Sequence, residues 1–284
     1  MFLYETHLHT VESSACGVSP GADYIQPYLD RGFTGIMVTD HFFNSNCVAD
    51  RRLPWAEWVK RYCAGFENAR EEGARRGLDV FFGWEETFDG DDYLIYGLDK
   101  EWLLEHPEMV RWTREEQFRE VRRYGGCVVH AHPFRQHYYI HTVHLAPYCI
   151  DAVEAANAGN NDPAYDALGL EYARILGLPA VAGSDIHDAE DLKTAEPYGV
   201  GFAEKLTSIN DYVRILLRGR GAGENPTILH IPEGRCAYRK AAGEKPLKCG
   251  VDIIGRDGRP LGGKIRPMSF NDITGYLGRF QNQP

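Results

Sequence analysis

The chain has 284 residues, 43% of them hydrophobic and 25% charged, with a formal net charge of -10. This is the composition of a globular protein long enough to bury a large core, and it excludes a disordered or fibrous chain. The acidic balance argues against broad binding to nucleic acid or membrane surfaces, although bound divalent cations would reverse the field locally for an anionic substrate.

In chain order, residues 2–6 read as a strand and 21–31 as a helix. Residues 34–39 (TGIMVT) are apolar and β-branched, the pattern of a buried strand. Residues 55–76 place Trp58, Tyr62, Phe66 and Ala69 at helical spacing with charges between them, an amphipathic helix. Strands follow at 79–84 (DVFFGW) and 93–96, a helix at 114–124, and a strand at 127–131 (CVVHA). Residues 152–155 read as a strand, 164–176 as a helix, 179–182 and 199–202 as strands, and 209–217 as a helix. Alternation of this kind, in about seven units, predicts an α/β fold with a parallel sheet covered on both faces. So many units favour a closed β/α barrel, which carries its active site at the C-terminal strand ends. The composition shifts near 219–225 (GRGAGEN). This divides the chain into a barrel over 1–222 and a small β-rich C-terminal appendage or cap over 223–284. In the appendage, Asp257-Gly258 within GRDGRPLGG signals a hairpin turn.

Seven cysteines are scattered without a CxxC pair, which fits neither a disulfide framework nor a thiolate zinc site. No apolar run spans a membrane, and the segment MFLYETHLHT lacks the regions of a signal peptide. A cytoplasmic location is expected.

The histidines and carboxylates gather at predicted strand ends. His7 and His9 close the first strand, Asp40 and His41 the second, Glu85 follows the third, His130 and His132 the fifth, and Asp185 and His187 the last. Residues two apart on an extended chain point to the same side. Singly, each pair has a plainer reading as a solvated strand end, a helix cap or a charged loop. Together, at the rim of one barrel, they make a ligand set for Zn, Mn or Fe. There are more ligands than one tetrahedral ion uses, so two or three ions bridged by a carboxylate are expected, an arrangement suited to hydrolysis. Arg135 follows the His132-Pro133-Phe134 turn, where a guanidinium fork suits a phosphate clamp, the alternative being a surface arginine. The insertion RQHYYIHTVH, with His137, His141 and His144, either lines the pocket or packs on the barrel. Glu154 and Asn157, in VEAAN, are expected to face the site behind the ligands or against substrate.

Five motifs, THLHT (6–10), TDH (39–41), GWE (83–85), AHP (131–133) and GSDIH (183–187), stand in the order of the polymerase and histidinol phosphatase (PHP) family, which the chain resembles from residue 3 to about 220. The resemblance implies a distorted seven-stranded (β/α) barrel, a two- or three-metal site and phosphoesterase activity. It implies that His7, His9, Glu85 and Asp185 hold the first metal and that Glu85 bridges to a second bound by His132. His41 and His187 would serve a third metal or the substrate phosphate, and Asp40 would orient a histidine ring. His130 either ligates or stands behind the ligands. Two departures matter. The ligand that many members carry five or six residues after the histidine pair is missing, since Ser14 and Ala15 occupy those places; Glu12 is the nearest carboxylate available to replace it. Asp92 stands where many members carry a histidine; as a ligand it would favour Mn or Fe, and otherwise it is a turn residue. The expected reaction is hydrolysis of a small phosphomonoester by metal-activated water, with His41 or His187 protonating the leaving alcohol. An amidohydrolase-type reaction is the alternative, and a non-catalytic binding barrel a third. Nucleic acid is a poor partner, because no basic stripe with interleaved aromatics occurs.

Overall fold

The structure, a computed structural model, describes residues 1–261 and 267–277. The strands are β1 (Phe2–Leu8), β2 (Gly35–Val38), β3 (Asp79–Phe88), β4 (Asp91–Tyr96), β5 (Cys127–His130), β6 (Thr142–Leu145), β7 (Ala152–Asn157), β8 (Ala180–Gly183), β9 (Gly199–Phe202), β10 (Ile228–His230), β11 (Pro246–Ile253) and β12 (Pro267–Ser269). The helices are α1 (Ile25–Asp30), α2 (Trp55–Tyr62), α3 (Ala64–Arg76), α4 (Lys100–Glu105), α5 (Arg114–Arg123), α6 (Pro163–Leu176), α7 (Ile209–Gly219), α8 (Lys240–Gly243) and α9 (Phe270–Leu277).

The main sheet runs β10-β9-β1-β2-β3-β4-β5-β7-β8. It curls until it nearly closes: just beyond β8, Ile186 bridges Leu8 in parallel, and Asp185 N donates to His7 O at 2.8 Å. The sheet therefore has nine strands where seven are expected. β9 pairs antiparallel with β1, and β10 antiparallel with β9. The sheet is also not wholly parallel. β3 and β4 form a hairpin across Asp89-Gly90, both with positive φ, so β4 runs antiparallel to β3 and β5. Both faces of the short strands are covered. Ile36 and Val38 of β2 join one core cluster, while Met37 joins another with Tyr4, Leu94, Tyr96 and residues of α7.

Two helices differ from expectation. The predicted helix at 21–31 begins as a 3-10 turn, Gly21–Tyr24, before α1. The predicted helix at 55–76 breaks at Cys63 into α2 and α3. Trp58 and Tyr62 of α2 stack with ring centroids 5.0 Å apart, and Phe42 meets both edge-on. Beyond residue 222, β10 joins the main sheet. β11 pairs in parallel with β6, from the RQHYYIHTVH insertion, and antiparallel with β12. The Asp257-Gly258 turn is formed: Gly255 N donates to Arg259 O, and Leu261 N to Ile253 O. The end of that predicted motif, residues 262–263, lies outside the described residues. All seven cysteines are free thiols. Among the described residues no helix is long and apolar enough to cross a membrane.

Candidate metal centre

The near-closure of the sheet brings the C-terminal ends of β1, β2, β3, β5 and β8 to one rim. His7 lies in β1 and His9 just past it. Asp40 and His41 follow β2, and the loop is pinned to β3: Glu85 N donates to Asp40 O and Phe42 N to Glu85 O. Glu85 is inside β3, because the hairpin prolongs that strand beyond its predicted end. His132 and Asp185 both take positive φ, +28 and +54 degrees. Such conformations cost about 1–3 kcal/mol at non-glycine residues and persist only where neighbours enforce them. Here His132 N donates to Glu154 Oε2 and Asp185 N to His7 O.

Glu85, 1% exposed, sits at the centre. Its Oε1 lies 3.2 Å from His7 Nε2 and 3.5 Å from His132 Nε2. Its Oε2 lies 2.6 Å from His41 Nδ1 and 3.6 Å from His9 Nε2. Asp185 Oδ1 stands 3.0 Å from His9 Nε2 and 3.5 Å from His7 Nε2. Three sets of ligand atoms fall within 4.8 Å of one another: His7, Glu85 and His132; His7, His9 and Asp185; and His9, His41 and His187. Neither oxygen of Glu85 has a well-aligned hydrogen bond, although both are buried and imidazole nitrogens crowd them. A buried carboxylate without well-aligned hydrogen bonds is costly. Cations shared between Glu85 and these imidazoles would satisfy it, so the residues present fit a group of divalent ions held by nitrogen and oxygen.

The outer atoms of the rings are tied down. His7 Nδ1 lies 3.0 Å from Glu154 Oε1. His9 Nδ1 lies 3.1 Å from Ser14 Oγ, which donates to Asp40 Oδ1 at 2.7 Å. Both contacts leave Nε2 turned toward the cluster, the arrangement that supports metal-bound imidazoles. His187 Nδ1 donates to Asp185 O at 2.8 Å, its ring stacks on His9, and it is the more exposed end of the group.

The charges follow from this crowding. Burial would push Glu85 up, but His41 and His7 hold its carboxyl well below the usual range. Burial likewise opposes the ionisation of Asp185, which His7 and Arg135 hold well down. Burial and the neighbouring His41 lower His9 to about 3, so it stays neutral with a free lone pair. Burial works against His187, yet Cys16 and Asp185 raise it above an ordinary imidazole. Burial pushes Asp40 up to about 7, and burial with Glu85 pushes Asp92 up to about 6.

Of the other predicted site residues, His130 and Glu12 sit elsewhere, while Arg135, Glu154, Asn157 and Asp92 stand against the candidate ligands or the groups that hold them. His130 is fully buried, stacked on Tyr93 at 4.8 Å and edge-on to Tyr172. It does not share a side with His132, because β5 ends at His130 and the positive φ of His132 breaks the two-residue alternation. Glu12 turns to Gly21 N and Asn68 Nδ2, while Ser14 is the residue of that loop that reaches His9. Arg135 directs its fork into the protein: Nη1 to Asp185 Oδ2 and Nη2 to Asn157 Oδ1, both at 2.6 Å, and Nε to Asn160 Oδ1. Glu154 and Asn157 are fully buried, and Asn157 Nδ2 donates to Glu154 Oε2. Asp92 accepts from Thr87 Oγ1 at 2.6 Å and stands 3.9 Å from His132 Nε2.

The structure adds two residues that the sequence did not single out. The Cys16 thiol interacts with His41 and His187, which despite burial lower its pKa to about 6. Tyr139, on the RQHYYIHTVH loop, lies in the field of Arg135, Asp92, Asp185 and Glu85. Neither carries a spacing signal, since each stands in an irregular loop. A cleft of about 240 Å3 opens beside the centre, lined by Gly159, Asp185, His187, Asp191 and Glu196 among others.

No protein-family model and no curated protein matches the sequence. Solved structures do. A two-domain protein from Bacteroides vulgatus containing a predicted PHP-like metal-dependent phosphoesterase aligns at 18% identity and TM-score 0.54, over 81% of this chain and 64% of that one. A protein from Bifidobacterium adolescentis described as a metal-dependent phosphoesterase aligns at 17% identity and TM-score 0.47, over 76% and 96%. An amidohydrolase from Chromobacterium violaceum, with bound sulfate and no metal, aligns at 14% identity and TM-score 0.42, over 65% and 87%. The first of these shows a fold shared with a PHP-like phosphoesterase protein, of whose length this chain spans less than two thirds.

Proposed function

We propose that this chain is a cytoplasmic, metal-dependent phosphoric ester hydrolase acting on a small phosphomonoester. The observation that carries the reading is Glu85: a buried carboxylate with no well-aligned hydrogen bond, each oxygen facing two imidazole nitrogens from different strand ends. His7, His9, Glu85 and Asp185 would hold one ion and Glu85 and His132 a second, with His41 beside Glu85, Asp92 beside His132, and His187 left free for proton transfer. Divalent ions there supply charge neutralisation for the phosphate oxygens and a lowered pKa for the attacking water. Ser14 and Glu154 keep His9 and His7 in the tautomer that presents Nε2. Arg135 anchors Asp185 instead of clamping substrate. His187 donates Nδ1–H to a carbonyl, so Nε2 is the atom that gives a proton to the leaving alcohol, and its raised pKa keeps that proton in place near neutral pH.

The test is metal analysis of protein purified without added metal, followed by a panel of phosphate monoesters, diesters and amides. Bound Zn, Mn or Fe and turnover of monoesters are expected, with His9→Ala and Glu85→Gln losing both. Turnover confined to amides would replace this reading with an amidohydrolase. Metal content and turnover surviving in both variants would sink it.

A further inference from the structure

One residue along the chain from Arg135 and from Asn160 opens a cavity of about 510 Å3, lined by Gln136, His137, Tyr138, His141, Asn161 and Lys248 with Ile140 and Cys249. Among the described residues no carboxylate lines it, although the chain carries 41 acidic residues against 31 lysines and arginines. Its ionisable groups are a lysine and two histidines, with a tyrosine phenol and the Cys249 thiol, which burial keeps protonated, and Gln136 and Asn161 add two amides. Gln136 accepts from Lys248 N through Oε1, which leaves its amide hydrogens free to donate. Such a wall offers donors and positive charge.

The wall is tied to the metal centre along the chain at two points. Gln136 directly follows Arg135, whose guanidinium grips Asp185. Asn161 directly follows Asn160, which accepts from Arg135 Nε. Between the two regions stands Tyr139, in the field of Glu85, Asp92 and Asp185. Lys248 comes from β11, far along the chain. It is brought here by the pairing of β11 with β6, whose register sets Gly250 opposite Thr142, and by the hydrogen bond from Gly250 N to His141 O. The cationic residue of this wall is thus delivered by the C-terminal segment, which gives that segment a role at the site.

We propose that this cavity is an anion subsite, holding a second anionic group, phosphate or carboxylate, of a substrate whose scissile phosphoester lies on the metal centre. The proposal rests on the phosphoesterase reading above. Lysine binds such a group as a point charge, His137 and His141 add donors, and the carboxylate-free lining spares the anion the repulsion it would meet elsewhere on this acidic protein. Arg135, spent on Asp185 and Asn157, is the hinge between the two sites and not itself the clamp.

The test uses the metal-loaded full chain. Values of kcat/KM are compared for a sugar bisphosphate against the matching monophosphate, and for phosphoglycerate against glycerol phosphate. The wild type is expected to prefer the doubly anionic member of each pair. Lys248→Ala should cut that preference by about 10–100-fold, chiefly through KM, and Lys248→Arg should restore most of it. A preference for phosphate as second group over carboxylate, or the reverse, identifies which anion the subsite takes. The metal-stripped protein gives an independent readout: it should bind inorganic phosphate by calorimetry, and Lys248→Ala with His137→Ala should abolish this. Lys248 is exposed, so its replacement should leave the melting temperature in place. An unchanged preference in Lys248→Ala, or a metal-stripped wild type that binds no phosphate, overturns the subsite. No turnover of any phosphate ester, with phosphate still bound and lost on substitution, overturns the phosphoesterase reading alone.

Discussion

Ser14 shows how much one hydroxyl arranges at this site. It donates its proton to Asp40, and its oxygen is then free to accept from His9 Nδ1 and from the backbone N–H of His41, at 3.1 and 3.0 Å. One group therefore fixes a tautomer, a loop and a buried carboxyl, which Thr10 also grips through N and Oγ1. Ser14→Ala removes the acceptor while leaving the backbone path open. Metal affinity, read by titration of stripped protein, should fall about 10–100-fold, the usual cost of losing a group that orients a ligand. Affinity unchanged within error would mean that His9 is held by packing alone. The sequence exposed this site unevenly. Side chains at strand ends, such as His7, Glu85 and Asp185, were legible because strand order and the two-residue period put them on one rim. Ser14 was visible only as a missing ligand, and Cys16 not at all, because loop residues obey no period. His130 was misplaced for a related reason: the alternation holds only while the backbone stays extended, and at His132 it does not.

At the scale of elements, the break at Cys63 matters most. A single helix through 55–76 would have carried one apolar stripe. The residues that meet Phe42 all fall in the first of the two shorter helices, Trp55, Trp58 and Tyr62, with Trp84 from β3. Phe42 is fully buried and directly follows His41, so this aromatic cluster fixes the loop that carries Asp40 and His41. Tyr62 reaches from α2 to the same loop, its hydroxyl donating to Asp40 O at 2.5 Å. The sequence pattern showed which residues are apolar but not that the helix is interrupted at Cys63, which is neither glycine nor proline. Phe42→Ala should destabilise the protein by about 3–5 kcal/mol, the range for emptying a large aromatic site in a packed core. Denaturant unfolding with an unchanged slope measures it. A loss below about 1 kcal/mol would show that the cluster collapses around the gap and does not hold the loop.

At the scale of the whole molecule, the question is whether the chain beyond residue 222 is a body of its own. Composition suggested a separate appendage, because a shift in residue types is what the sequence makes visible there. The pairings lie across that boundary. β10 extends the main sheet through β9, β11 lies in register along β6, and Phe270 of α9 meets Phe134 edge-on at 5.4 Å beside the metal-centre loop. Leu247, Val251, Ile253, Ile273 and Leu277 belong to the same core cluster as Ile36, Trp58 and Val153. Cutting at 222 would take β11 from β6, β10 from β9 and Phe270 from Phe134, exposing apolar surface and unpaired strand edges, which invite aggregation. Shared cores unfold together, so calorimetry of the full chain should show one transition, and a fragment ending at 222 should be far less soluble than the whole. Two resolved transitions, with the first leaving metal bound, would instead make the C-terminal segment an independent unit.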